Sequence, residues 1–278
     1  MIIDFHTHIF PPETRRNREK YFHGEPGFEL LYNNPKARLV GAKELVETMD
    51  EQEVDLSVAA GFPWKNPDLI KRHNDYLIES VAKYPERLKG LGCFDHFSQI
   101  ASAETERCLK NGLSGIGELA FYQSEIDEMA IERLEPVMKL CEQKNAPVLF
   151  HANEPIGHSY PGKSSHSITQ IYKLPARFPQ NKIVLAHWGG GLFFYWLLKK
   201  EVKPRLKNVY FDTAASPFLY DPEVYALALR IIGAEKIIFG SDYPLIKPKA
   251  YFKELSEAKI SAEEIKRICG DNAAGLLD

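Results

Sequence analysis

Among the side chains of types that bind a divalent metal, six stand at like places in this sequence: His6 and His8, then Glu118, His151, His187 and Asp242. Each stands toward the C-terminal end of a short apolar run: IIDFHTH, GIGELAF, PVLFHAN, KIVLAHWGG and KIIFGSDYP. Imidazoles mixed with carboxylates suit zinc, manganese, iron, cobalt or nickel, with geometry choosing among them. An ion held there would lower the pKa of bound water from 15.7 to about 7 and polarise a carbonyl. A lone H-x-H pair is common by accident, and a single buried histidine is usually hydrogen-bonded in a core. Five runs ending alike are different, because burying that many polar groups without partners costs about 1–3 kcal/mol for each.

For these residues to meet, the runs must be strands whose ends converge. Residues i and i+2 of a strand share a face, so His6 and His8 project together, but one strand cannot complete a coordination shell. Runs rich in Val, Ile, Leu and Phe recur at 2–8, 54–62, 88–94, 115–121, 147–153, 182–190, 209–216 and 236–244. Apolar stripes at helical spacing occupy 42–51, 67–84, 99–111, 130–145, 167–178 and 261–270, with further helix expected at 192–200 and 222–232. Asn66 followed by Pro67 marks the start of the second of these. Eight strands alternating with helices predict an α/β fold, a single (β/α)8 TIM barrel spanning 1–278 with its site at the C-terminal face. An open doubly wound sheet would want G-x-G-x-x-G after its first strand, and none follows His8. Residues from Ile9 to about Val40 are too many for an idle connection and read as an insertion covering the barrel mouth.

Composition narrows the partners. The chain has 278 residues, 44% hydrophobic and 26% charged, with a net charge of -3, so a core is affordable and nothing attracts nucleic acid or an anionic membrane. Four cysteines without C-x-x-C spacing read as thiols in a reducing cytoplasm. Strand-like residues directly after Met1 argue against a leader, and no apolar run is long enough to span a bilayer. A small-molecule substrate is the expected partner, and the aromatic run Phe193–Trp196 would suit a homodimer contact.

The segments Asp4-Phe5-His6-Thr7-His8, Gly115-Ile116-Gly117-Glu118-Leu119, Phe150-His151-Ala152, Leu185 to Gly190 and Phe239 to Pro244 follow one another in a familiar order. Together they resemble the amidohydrolase superfamily, in the amidohydrolase-2 group that includes decarboxylases of the aminocarboxymuconate-semialdehyde type. The resemblance implies that His6, His8, His151 and Asp242 hold one divalent ion, zinc being the first expectation, with His187 catalytic or a ligand to a second ion. Glu118 departs from the one-metal pattern. Strand four carries no lysine to form a carbamate, so Glu118 would either bridge two ions or orient a histidine.

The leading expectation is a hydrolase acting on an ester, lactone or amide of a small, carboxylated molecule. Asp242 would take the water's proton and His187 would steady developing charge. The alternative is a non-oxidative decarboxylase of a cyclic or aromatic acid, and a third is a non-catalytic metal-binding barrel. His158 and Lys163, in the loop after His151, are expected to meet the substrate, as are Trp188 and Tyr243 beside the catalytic pair. Asp95 and His96 at the end of the third run are further candidates. Asp4 is expected in the barrel floor, His73 at the surface or in packing, and Gly189 to Gly191 in a close backbone approach beside His187.

Overall fold

The computed structural model describes residues 1–278. Eight parallel strands follow in chain order: β1 (Ile3–His8), β2 (Leu56–Ala60), β3 (Leu88–Gly92), β4 (Gly115–Leu119), β5 (Val148–Phe150), β6 (Ile183–Leu185), β7 (Val209–Asp212) and β8 (Ile237–Ile238). Backbone bonds around β1 nearly close the circle. Phe5 N–H donates to Phe239 O at 2.9 Å, Asp242 N–H to His6 O at 2.8 Å, and His8 N–H to Tyr243 O at 2.7 Å. The architecture is the expected (β/α)8 barrel.

Several strands are shorter than their apolar runs. β6 stops at Leu185 and β8 at Ile238, and the backbone turns left-handed two to four residues further on. His187, Trp188 and Asp242 have φ of 53°, 59° and 57°. The helices Ala42–Gln52, Pro67–Lys83, Ala101–Lys110, Glu128–Gln143, Ile168–Arg177 and Glu223–Ile232 match the stripes. Asn66 caps its helix by accepting from the N–H groups of Asp68 and Leu69. The stripe at 261–270 begins on a Ser261/Glu264 capping box, passes through a π turn at Arg267–Asp271 and continues as the helix Asn272–Leu277. The helix expected at 192–200 is only a 3-10 stretch ending at Leu197. Helices Pro12–Arg16, Pro26–Tyr32 and Lys249–Glu257 lie outside the expected set.

The apolar interior has two parts. A large cluster lies between strands and helices, while Ile3, Phe5, Val58, Leu91, Leu149, Val184, Ala186 and Ile238 fill the barrel itself. Ala273 and Leu276 of the last helix join this inner cluster. Pairing slips between Asp4 and Thr7 on β1 and between Ile116 and Leu119 on β4. A slip of this kind resets which face a strand residue takes. Ile3 and Phe5 can therefore join the inner apolar cluster while His6 and His8, of opposite parity, also face inward. The floor is thus apolar, and Asp4 does not form it. Its carboxylate accepts from Ser241 N–H at 2.8 Å and Ser241 Oγ–H at 2.5 Å, and burial raises its pKa to about 7 against the lowering effect of those bonds.

His73 is buried, not superficial. Its Nε2–H donates to Ile9 O at 2.7 Å, its Nδ1 accepts from Trp64 Nε1–H at 2.8 Å, and burial holds its pKa down at about 4. The aromatic run is split: Phe193 is buried, whereas Phe194 and Tyr195 are exposed. All four cysteines are free and buried, and no helix is long and apolar enough to cross a membrane.

Candidate active site

The ends of β1, β4, β5, β6 and β8 bring all six expected donors into one cluster at the C-terminal face. His6 Nε2 and His8 Nε2 lie 3.1 Å apart. Glu118 Oε2 stands 3.7 Å from each of them, and Asp242 Oδ1 stands 3.8 Å from His6 Nε2 and 3.3 Å from His8 Nε2. The other Glu118 oxygen, Oε1, is 3.0 Å from His151 Nδ1 and 3.7 Å from His187 Nε2. Glu118 therefore divides the cluster into two imidazole pairs, one facing each oxygen.

What the rings do on their other side fixes their protonation. A backbone carbonyl only accepts, so the ring nitrogen facing it carries the hydrogen. His8 Nδ1–H donates to Gly61 O at 3.2 Å, His151 Nε2–H to Gly162 O at 3.0 Å and His187 Nδ1–H to Ala214 O at 3.0 Å. His6 Nδ1–H donates to Asp212 Oδ2 at 2.8 Å, while Asp212 Oδ1 accepts from the N–H groups of His187 and Ala214. Each ring, when neutral, has one lone pair left, and the four free nitrogens converge on Glu118 and Asp242. Lone pairs aimed at carboxylates at these distances repel unless a cation or protons lie among them.

The electrostatics say the same. Burial works to lower the pKa of His6, but the charges of Glu118 and Asp212 prevail and hold it well above the usual imidazole value. Burial also works against His187, whose contacts with Glu118 and Asp242 raise it to about 9. Glu118 is held well below the ordinary carboxylate range, with burial opposed by His6 and His151, and Asp242 is lowered by His8 and His6 against burial. This is a site that demands positive charge.

Asp212 is the residue the sequence reading missed. It is fully buried at the end of β7 and receives three hydrogen bonds, two of them involving the candidate ligands. Its signal was available: Phe211-Asp212-Thr213 ends a strand as the other five runs do.

The left-handed turn after His187 explains its placement. Gly189 and Gly190 have φ of 60° and 61°, and a Cβ on Gly190 would come within 2.2 Å of Asn153 O. The close approach expected there is present, between the end of β6 and the loop after β5.

A cavity of about 500 Å³ opens onto the cluster, lined by His8, Glu118, His151, His187 and Asp242. Its remaining wall includes Tyr32, Arg38, Phe62, Tyr122, Phe218 and Leu245. None of the four residues expected to meet substrate lines it. His158 is exposed and packs on Tyr160. The Lys163 ammonium is occupied by Glu154 Oε1, Ile156 O and His158 O, which makes it a staple of its own loop. Trp188 is fully buried against Phe193 and Tyr225, with Nε1–H donating to Ser216 Oγ at 3.0 Å. Tyr243 is buried with its hydroxyl 2.8 Å from Thr48 Oγ1. Both aromatic residues pack outward from the strand ends. Asp95 and His96 also lie off this cavity: Asp95 caps a turn by accepting from Phe97 N–H, and His96 meets Ser124 Oγ at 3.3 Å.

An eight-stranded barrel with imidazoles and carboxylates gathered on its strand ends defines the class, a barrel whose site is built at the C-terminal face. The chain belongs to the amidohydrolase family, whose model (Amidohydro_2, described as amidohydrolase) matches residues 3–278. It is similar to 2-amino-3-carboxymuconate-6-semialdehyde decarboxylase of Dictyostelium discoideum, at 24% identity over 337 residues, covering 99% of this chain and 91% of the relative. Among solved structures, 5-carboxyvanillate decarboxylase from Sphingomonas paucimobilis is similar with a TM-score of 0.80 at 18% identity, covering 99% of this chain and 98% of that one. Dihydroxybenzoic acid decarboxylase from Polaromonas sp. JS666, solved with bound manganese and the inhibitor 2-nitroresorcinol, gives 0.72 at 19% identity, covering 99% and 96%.

Proposed function

We propose that this chain is a metal-dependent, non-oxidative decarboxylase of a cyclic or aromatic acid. The observation that carries it is the set of four imidazoles, each tied by one N–H to a fixed acceptor, with the other nitrogens of His6 and His8 facing Glu118 and Asp242 and those of His151 and His187 facing Glu118. Such outward hydrogen bonds are what orient metal-binding histidines. The relatives named above are decarboxylases, which supports carbon–carbon cleavage over the hydrolysis the sequence suggested first. Manganese displaces zinc as the first ion to load, because the Polaromonas relative holds it.

The structure gathers His6 and His8 with Glu118, and His151 and His187 with Glu118; a divalent ion held among these groups and Asp242 would supply Lewis acidity. The chain's own groups do the rest. In its protonated form, which the contacts with Glu118 and Asp242 favour, His187 can offer a proton from Nε2, since Nδ1–H is committed to Ala214 O. A proton delivered from there to the carbon bearing the carboxylate forms the new C–H bond. The C–C bond to the carboxylate then breaks, its electron pair returns to the ring, and carbon dioxide leaves. The segment at 9–40 covers the mouth in this reading, supported by Leu31, Tyr32 and Arg38 in the cavity wall. The chain acts as one unit over 1–278, supported by the span of the family match.

One observation favours hydrolysis as a second reading. The two Glu118 oxygens face separate imidazole pairs, the geometry a bridge between two ions would use. Elemental analysis after loading with Mn²⁺ or Zn²⁺, followed by assay of carbon dioxide release from hydroxybenzoates, tests both readings. One ion per chain with release of carbon dioxide is expected. Two ions with ester or lactone cleavage would favour the second reading, and no bound ion under either condition would overturn both.

A further inference from the structure

Tyr32 and Tyr122 reach the cavity from unrelated parts of the chain. Tyr32 ends the helix Pro26–Tyr32 and Tyr122 follows β4, yet both lie against Phe62, with ring centroids 6.2 Å and 6.4 Å from it. The three rings form one aromatic wall. Tyr32 also packs on Phe10 at 5.3 Å and Phe28 at 4.8 Å, and Tyr122 lies 5.2 Å from the His151 ring. Phenylalanine would serve all of these ring contacts equally well.

The hydroxyls are what the packing does not use. Neither phenol has a hydrogen-bond partner in the protein, in contrast to Tyr160, Tyr225, Tyr243 and Tyr251, whose hydroxyls are all engaged. A phenol, with an ordinary pKa of about 10, keeps its proton at neutral pH. They are therefore donors that face the cavity and carry no charge. A ligand that displaces water from this wall must return an acceptor to each O–H or leave it desolvated, which is where polar sites draw their sharpest discrimination.

We propose that Tyr32 and Tyr122 form a two-phenol receptor for an oxygen substituent on the substrate ring, separate from the carboxylate that reacts at the metal end. This rests on the reading of the chain as acting on a cyclic or aromatic acid, and it narrows that class to acids bearing a further hydroxyl, phenolate or carboxylate. Arg38 lines the same cavity with Nη2–H given to Glu44 at 2.6 Å, and substitution of the two tyrosines separates their part from that of its remaining N–H donors.

The test is calorimetric titration of the Mn²⁺-loaded full chain with benzoate, 3-hydroxybenzoate and benzene-1,3-dicarboxylate, for wild type, Tyr32→Phe and Tyr122→Phe. The wild type should bind at least one oxygenated probe about 10-fold or more tighter than benzoate. Each phenylalanine variant, with its manganese content unchanged, should bring that ratio down several-fold toward one. Oxygenated probes bound as tightly by both variants as by wild type would overturn the receptor and leave the aromatic-acid reading standing. Failure of every probe to bind the manganese-loaded wild type would overturn the aromatic-acid reading, and the receptor with it.

Discussion

The inside of the barrel holds two layers made by the same strands. Below, Phe5, Val58, Leu91, Leu149, Val184 and Ile238 form a dry apolar floor. Above, His6, His8, Glu118, His151, His187 and Asp242 crowd together with oxygens and lone pairs opposed. On β5 the change takes two residues, from Leu149 to His151. The floor gains free energy from burial alone, whereas the mouth holds its shape through outward bonds to Asp212 and three carbonyls. Stability and chemistry are thus separable by position along a strand.

Substitutions in each layer should break the comparison in opposite ways. His8→Ala should lower kcat/KM on the order of a thousandfold and reduce bound metal, with the metal-free chain melting within about 2 °C of wild type, because the lost group supports chemistry and not the core. Steady-state kinetics with elemental analysis reads the first effect and calorimetry the second. Leu149→Ala should do the reverse. A cavity in the floor costs about 3 kcal/mol, or roughly 5 °C in a chain of this size, with kcat of the folded fraction nearly preserved. An equal loss of activity in that variant would mean the layers are coupled.

Asp212→Asn sharpens the boundary between the two. It keeps the shape but weakens the hold on His6, and metal affinity should fall about 10- to 100-fold by competition with a chelator. His158→Ala should be the smallest effect, within about twofold in every parameter, since its side chain is exposed and away from the cavity. A larger loss in that variant would return the loop after β5 to the substrate.

The layer of imidazoles and carboxylates was legible because its residues share one address, the end of an apolar run, and a barrel brings such ends together whatever their separation in sequence. Asp212 has the same address and escaped because a lone aspartate in VYFDTAAS looks like any strand tail. The parity of Asp4 misled because a register slip leaves no mark in the amino-acid pattern. Loop residues were the least legible. Where Tyr32 ends up depends on contacts such as those of Arg18, whose guanidinium reaches the carbonyls of Tyr32, Asn34 and Ala37. His158 and Lys163 follow His151 closely in sequence but do not line the cavity. Proximity along the chain is weak evidence once the strand has ended.

The turn at Gly189 and Gly190 matters for how this protein tolerates change. Neither position has a group that could touch substrate or metal. Even so, a single methyl at 190 would collide with the backbone at Asn153, and one at 189 would press on the Phe211 ring at 2.8 Å. A survey of random variants scored only for loss of activity would rank these two glycines beside the histidines. Among the residues most resistant to replacement, then, some would hold their place because no other side chain fits there.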